Sequence, residues 1–301
     1  MPNNSILRFF ILTLKSKPLG AIKSFLKLVR WKNLAIVAAT QYMVRVFLIF
    51  DNPFLWTQDW RFHLMVFTTI LIAAAGYIIN DYFDVKIDRI NKPQKVYIGK
   101  TISRRAAQLS HQLFSGLAIV LAVLVGWKAV LINIFSVTLL WFYASGFKKK
   151  PFIGNFVVSL LTSLVIAEVA IIFSPENRLI YMYAVFAFFI NLIREIIKDM
   201  EDMKGDEMHG AKTLPILFGV HKTKQLLYVL MGVFLTSMFF FMYKVEDLKI
   251  RIFSIFLLAL WATLFVFIIR SDRKKHFSQL SNLCKGIILV GMVSIVLFKF
   301  G

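Results

Sequence analysis

Apolar residues run along this 301-residue chain in long blocks, with polar residues gathered into the intervals between them. Nine such blocks are present, at 33–50, 63–79, 107–127, 129–147, 156–173, 179–197, 226–243, 252–269 and 286–300. At ~1.5 Å per residue a helical block of this kind is about long enough to cross a ~30 Å hydrocarbon core. The third block opens on Gln108, Ser110, His111 and Gln112, and the ninth is short. The pattern predicts an all-α, polytopic membrane bundle of nine transmembrane helices over residues 28–301, because only helices satisfy every backbone group within one segment in lipid. The segment 1–27 carries Arg8, Lys15 and Lys17 inside its apolar stretch, so it reads as an interfacial amphipathic helix and not as a signal peptide.

Composition agrees and removes other classes. Hydrophobic residues make up 58% and aromatics 15% of the chain, and the mean hydropathy is +0.71, far above that of a soluble domain. With 36 Lys and Arg against 16 Asp and Glu the net charge is +20, a balance that in a soluble chain would suggest nucleic acid. The hydropathy excludes that reading. Fourteen Gly, seven Pro and one Cys exclude collagenous, disordered and disulfide-built chains. The cations are distributed by side: 28 fall in the amino-terminal segment and the intervals that follow even-numbered spans, 7 in the opposite intervals, and Arg45 lies within the first span. The positive-inside rule then puts the amino terminus and the even-numbered turns in the cytoplasm of a cell (inner) membrane protein. Lipid-surface anchoring accounts for most of this charge.

The scarce acids are the more informative charges. Nine of the sixteen lie in two intervals, both on the side assigned to the cytoplasm. The first follows the second span and carries Asn80, Asp81, Asp84 and Asp88; the second follows the sixth span and carries Glu195, Asp199, Glu201, Asp202, Asp206 and Glu207. Both contain D-x2-D-x3-D, and each aspartate of the first is offset by 118 residues from its counterpart in the second, which suggests a repeat of two half-bundles. On a helix the three aspartates of either motif fall within an arc of roughly 60°. Like charges so placed repel, and acids at a helix carboxyl end oppose its dipole. A divalent cation would compensate. Hard oxygen ligands, few per ion, match Mg2+, with the remaining positions open to water and substrate phosphate. No His or Cys pair stands nearby in zinc spacing. Cations interleave with the acids: Arg89, Lys92 and Lys95 beside the first motif, Arg194 and Lys198 at the second, and Lys148, Lys149 and Lys150 between them. Carboxylates for metal, cations for a diphosphate and an apolar bundle for its tail describe ionisation of a prenyl diphosphate.

These residues resemble the UbiA superfamily of intramembrane prenyltransferases. Its first signature is matched by N-D-x2-D-x3-D at 80–88, followed by N-K-P at 91–93 and G-K-x-I-S at 99–103. Its second is matched by K-D-M-E-D-x3-D at 198–206 and G-A-K-T-L-P at 210–215. Arg30 through Asn33 resembles the basic-x-x-Asn start of the family's first helix, and Tyr143, Lys148, Gly154 and Asn155 resemble its Tyr/Lys element, with Tyr and Lys five apart where the family has four. The resemblance implies a central, laterally open cavity capped by two aspartate-rich loops, holding two Mg2+ and the diphosphate. It implies that Asn80, Asp84 and Asp88 hold one metal, Asp202 and Asp206 the other, with Asp81 and Asp199 as secondary ligands or supports. Arg89, Lys92, Lys148 or Lys149, and Lys198 would contact phosphate oxygens, and Asn33 and Tyr143 would line the substrate site. The wording of 194–206 is similar to members that transfer a geranylgeranyl group to geranylgeranylglyceryl phosphate, and members acting on 4-hydroxybenzoate or other aromatic acceptors share most of these residues. The partners implied are a polyprenyl diphosphate, a lipophilic or phospholipid-like acceptor and membrane lipid, with no nucleic acid.

Arg45 and Glu168 each fall about a dozen residues into a span, roughly 18 Å deep, and intramembrane charges are costly unless paired. They are read as a structural ion pair lining the cavity, or Arg45, with Gln41, is read as facing an anionic or polar acceptor. His63, His111, His221 and His276 read as interfacial or loop residues, and His209 as a candidate phosphate contact. A cation transporter is the alternative from another class, but it would place carboxylates at mid-membrane, where Glu168 stands alone. A scaffold binding a partner through acidic loops would not need matched spacing, and a phosphatidyl-alcohol transferase would need a D-G-x2-A-R element that is absent.

Overall fold

The computed structural model describes residues 18–49, 58–91, 94, 96–208, 210–243 and 248–300. Within them the ordered elements are helices: α1 (Pro18–Leu28), α2 (Trp31–Val44) continued by a π turn (Arg45–Ile49), α3 (Trp60–Asn91), α4 (Arg104–Val125), α5 (Trp127–Ser145), a 3-10 turn (Phe147–Lys149), α6 (Ile153–Phe173), α7 (Arg178–Met208), α8 (Leu214–Tyr243), α9 (Leu248–Ile269) and α10 (Lys274–Phe300). No strand is present among the described residues beyond one isolated bridge between Ile98 and Ile102. Among the described residues eight helices are long and apolar enough to cross a membrane, and Ser254–Ile269 is a shorter apolar helix. Each of the nine expected spans falls on one of these helices; 33–50, 107–127 and 129–147 run one or two residues past the ends at Ile49, Val125 and Ser145. Of the amino-terminal segment, 1–17 is outside the described residues, as are Lys92, Lys95 and His209.

The chain divides into two compact units, one of Met1–Ala39 and Gln58–Gly146, the other of Thr40–Thr57 and Phe147–Gly301. In the first, α3 is the central element. Gly76 lets α5 approach it: a Cβ there would stand 2.8 Å from a Leu140 methyl carbon, closer than real carbon contacts allow. Leu71, Ile72 and Ala118 form one apolar core of α3 and α4, and Leu28, Val29, Ala74, Ile78, Val85, Ile98, Ile102 and Ala107 form another. His111 belongs to this packing and not to an interface or loop. It is buried on α4, with Nδ1 3.1 Å from the Ala75 carbonyl and its ring 5.6 Å from that of Trp141. Burial of so polar a ring is tolerated because a backbone carbonyl meets it.

In the second unit α7 packs against α6, α8 and α10. A file of rings, Phe189, Phe234 and Trp261, fills the space between α7, α8 and α9, with Phe234 and Trp261 centred 4.1 Å apart. Gly291 admits the Phe186 ring, which would lie 2.9 Å from a Cβ, and the Tyr183 hydroxyl meets Ser294 Oγ at 2.8 Å. Large apolar side chains such as Leu113, Val120, Phe239 and Phe240 are exposed on the outer helix faces. In water such surface would be a liability; toward lipid it is ordinary.

Candidate active site

The first acidic motif is helical. Residues 80–91 form the last three turns of the 32-residue α3, so the expected loop is a helical extension of the second span. Nothing in N-D-Y-F-D-V-K-I-D-R-I-N breaks a helix, and Pro93 comes only after its end. Asn80 Nδ2 donates to Asp84 Oδ2 at 3.1 Å, one turn along. Asp81 is met from outside the helix: Arg30 Nη2 donates to its Oδ1 at 3.1 Å, and the same guanidinium lies 4.7 Å from the Tyr77 ring centre. Asn33 Nδ2 donates to the Tyr77 hydroxyl at 3.3 Å. Arg30 adopts φ 52° at the break between α1 and α2, a left-handed conformation that an L side chain takes at a cost. The segment after α3 folds back on it. Gly99 sits at φ 87° with the Arg89 guanidinium so close that a Cβ would be 2.9 Å from Nη2, and Ser103 Oγ caps α4 by accepting from the Ala106 amide at 3.0 Å. The G-K-x-I-S stretch thus forms a tight turn, a helix cap and a seat for Arg89.

The second motif is built alike. Residues 194–206 continue the sixth span without interruption as the end of the 31-residue α7. Asp199 receives a hydrogen bond from Asn155 Nδ2 of α6 at 2.8 Å. Gly154, just before it, packs so closely on the 3-10 turn that a Cβ would lie 2.8 Å from Lys148 Cα and 2.9 Å from the Phe147 carbonyl oxygen. The Lys212 amide donates to the Lys149 carbonyl at 2.9 Å, so the G-A-K-T-L-P stretch is bound to the same turn. Gly210, at φ 68°, makes the reversal after α7 possible. Arg194 donates to Glu195. Lys198 is exposed on α7, Lys148 is half-buried in its turn, and Tyr143 is half-buried on α5.

The predicted residues therefore assemble in two groups, one per unit. Asn80, Asp81, Asp84, Asp88, Arg89 and Asn33 belong to the first, and Lys148, Lys198, Asp199, Asp202 and Asp206 to the second. Among the described residues no three His, Cys, Asp or Glu side chains form a metal-binding cluster. The donors present fit an ion that takes one or two carboxylates and fills its octahedron with water and phosphate. Arg45 departs from the rest. Its guanidinium lies 4.4 Å from the ring centre of Phe173, the last residue of α6, while Asn155 and Asp199 meet at the first turns of that helix. Eighteen residues of helix separate the two places by about 27 Å. Gln41 Nε2 donates to the Val165 carbonyl at 3.1 Å and to Glu168 Oε2 at 3.4 Å, so these buried polar groups belong to the far half of α6. Sequence reasoning noted Arg30 and Asn155 but gave neither a place among the site residues. Their proximity to matched motif elements was the only signal available.

The UbiA prenyltransferase family model matches residues 38–283. The chain belongs to the UbiA prenyltransferase family. Similar relatives include digeranylgeranylglyceryl phosphate synthases of Thermococcus sibiricus, 37% identical over 164 residues, and of Saccharolobus solfataricus, 35% identical over 214. The matched stretches cover 54% and 70% of this chain, and 58% and 74% of the relatives, so the first alignment takes in less than two thirds of that protein. A structure solved in work on digeranylgeranylglyceryl phosphate synthase in membranes superposes with a TM-score of 0.75 at 26% identity, over 93% of this chain and 99% of that one. A UbiA homologue of Archaeoglobus fulgidus, bound to DMAPP and Mg2+, superposes at 0.67 with 21% identity, over 91% and 99%, and so shares the fold. As a UbiA family member built from apolar helices of spanning length, the chain is a multi-pass membrane protein.

Proposed function

We propose that this UbiA family member is an Mg2+-dependent prenyltransferase that ionises a polyprenyl diphosphate, geranylgeranyl diphosphate in particular, and joins the prenyl group to geranylgeranylglyceryl phosphate. The observation that carries this reading is the repeated end of α3 and α7: three aspartates on one helical face, the first of them held by a side chain from another segment. Asp81 and Asp199 are thereby supports, and metal binding is assigned to Asn80, Asp84 and Asp88 in one motif and to Asp202 and Asp206 in the other, for two ions. Arg89, Lys92, Lys148 and Lys198 are assigned to diphosphate oxygens. Mg2+, when bound, supplies positive charge to the departing diphosphate.

In the reaction the bond between the prenyl C1 and the diphosphate oxygen breaks, and the diphosphate keeps the electron pair. The acceptor hydroxyl oxygen then bonds to C1 and loses its proton. The lysines and arginines stabilise the growing charge on the leaving group. Apolar walls keep water from the allylic cation, and aromatic faces can stabilise it. The cation bias among the loops supports cytoplasmic aspartate ends. Arg45, at the opposite end of α6 from Asp199, is assigned to anchoring that end of the helix and not to an acceptor, because an anion held about 27 Å from the carboxylates could not present a nearby hydroxyl to C1.

The test uses protein reconstituted in lipid nanodiscs, radiolabelled geranylgeranyl diphosphate, Mg2+, and either geranylgeranylglyceryl phosphate or 4-hydroxybenzoate. Prenylated glycerophosphate and released diphosphate are expected, with both lost in Asp84→Ala and Asp202→Ala. Full turnover by either variant overturns the metal assignment; product only with 4-hydroxybenzoate moves the chain to the aromatic-acceptor class.

A further inference from the structure

Two non-glycine residues among those described have positive φ, Arg30 at 52° and Phe152 at 64°. Strain of this kind persists where surrounding structure over-determines it. Each precedes a helix, and each delivers the partner of a motif's first aspartate: Arg30 bonds Asp81 itself, and Phe152 opens α6 so that Asn155 reaches Asp199. The partners differ in kind. Arg30 is a half-exposed cation, whereas Asn155 is a buried neutral amide.

We propose that Asn155 is a positioning residue that locks the second aspartate motif to the Lys148 turn, so that carboxylates for metal and a cation for phosphate are set in register before substrate arrives. This rests on the prenyl diphosphate reading above. The register is fixed through three contacts. Asn155 Nδ2 holds Asp199 at 2.8 Å, Gly154 lies against Lys148 Cα with no room for a side chain, and the Lys149 carbonyl accepts from the Lys212 amide at 2.9 Å. Asp202 and Asp206 follow Asp199 by three and seven residues on the same face of α7, so holding Asp199 fixes the rotation of that face. A cation on one side of the site and carboxylates on the other are useful to a metal–diphosphate complex only at a set separation. The short helix-start element at 152–155 imposes it.

The experiment measures binding apart from turnover. Mn2+, a paramagnetic stand-in for Mg2+, is titrated by EPR into full-length protein in nanodiscs without substrate, and KM for geranylgeranyl diphosphate and kcat are measured with Mg2+. Asn155→Leu, nearly the same size without the donor, is expected to weaken Mn2+ binding and raise KM by about 10–100-fold, the scale on which supports around a metal site act, because a released Asp199 no longer fixes the face that carries Asp202 and Asp206, with a smaller change in kcat at saturation. Asn155→Gln, which keeps the amide, recovers most of the loss. In an Asp199→Leu background Asn155→Leu has little further effect, since the two act as a unit. A folded Asn155→Leu protein with wild-type Mn2+ affinity and KM overturns the proposal, as does a fall in kcat alone. Should Asn155→Leu not fold, Gly154→Ala decides: it must raise KM by pushing the Lys148 turn away, and an unchanged KM overturns the proposal. Wild-type protein with neither turnover nor Mn2+ binding instead rejects the functional reading itself.

Discussion

Arg30 combines a strained backbone with contacts to Asp81 and Tyr77, so replacing it by glycine separates stability from function. Glycine at φ 52° removes a left-handed penalty of about 1–2 kcal/mol, and its greater freedom in the unfolded chain returns about 0.5–1 kcal/mol of that. The lost ion pair is worth little: the Arg30 side chain is 45% exposed and Asp81 18%, so solvent screening holds the pair to about 0.2–1 kcal/mol. The lost cation–π contact adds about 0.5–1 kcal/mol. Gains and losses nearly cancel, and Arg30→Gly should melt within about 1 kcal/mol of wild type. Function has no such compensation. Asp81 loses the cation that holds it one turn from Asp84, and the half-saturating Mg2+ concentration should rise about 10–100-fold. Arg30→Lys keeps the strain and the charge but loses the planar stacking on Tyr77, so it should melt close to the glycine variant and be the more active of the two. Thermal unfolding in detergent together with Mg2+-dependent diphosphate release in nanodiscs measures both quantities. A glycine variant that loses more than about 2 kcal/mol yet keeps its Mg2+ dependence would refute the reasoning, since Arg30 would then be structural.

Two further outcomes follow from the packing and the charges. Gly76→Val puts a side chain where Leu140 already stands 2.8 Å from the Cβ position, and should cost about 1–3 kcal/mol of stability; the double variant Gly76→Val/Leu140→Ala should recover part of it, as thermal unfolding would show. Lys224, buried on α8, donates to Asp272 Oδ1 at 2.7 Å and to the Ile269 carbonyl at 3.3 Å, and it holds the Asp272 carboxyl below the ordinary carboxylate range. A carboxyl lowered in the folded state contributes stability above its unfolded value and loses it as pH falls through the lowered one. Asp272→Asn should therefore be less stable than wild type at pH 7, with the difference constant down to about pH 5 and shrinking below about pH 4; a difference confined to alkaline pH would contradict this.

Much of the candidate site was legible because its signals are local. Matched D-x2-D-x3-D spacing, 118 residues apart, located the ends of α3 and α7 and put three acids on each helical face, and the structure finds both stretches helical. Less legible was the form of these ends. Acid-rich, polar residues after an apolar block read as loops, yet no Pro or Gly interrupts 80–91 or 194–204, and the helices continue through them. His111 was misplaced because its sequence neighbours are polar, while its burial depends on Ala75 and Trp141 of other helices.

What the sequence by itself determined is the all-helical spanning architecture, the uneven distribution of its cations and the two acidic motifs. All of these follow from periodicity and composition along the chain, which act between near neighbours. Only the tertiary structure decided which acids are already held and where the deep charges lie. Arg30 is 51 residues from Asp81, and Asn155 is 44 from Asp199. Arg45 keeps company with Phe173, at the end of α6 away from the aspartates. A hydrogen bond between helices depends on the rotation and depth of both, and these are set by packing at Gly76, Gly154 and Gly291, where a missing side chain lets one element reach another.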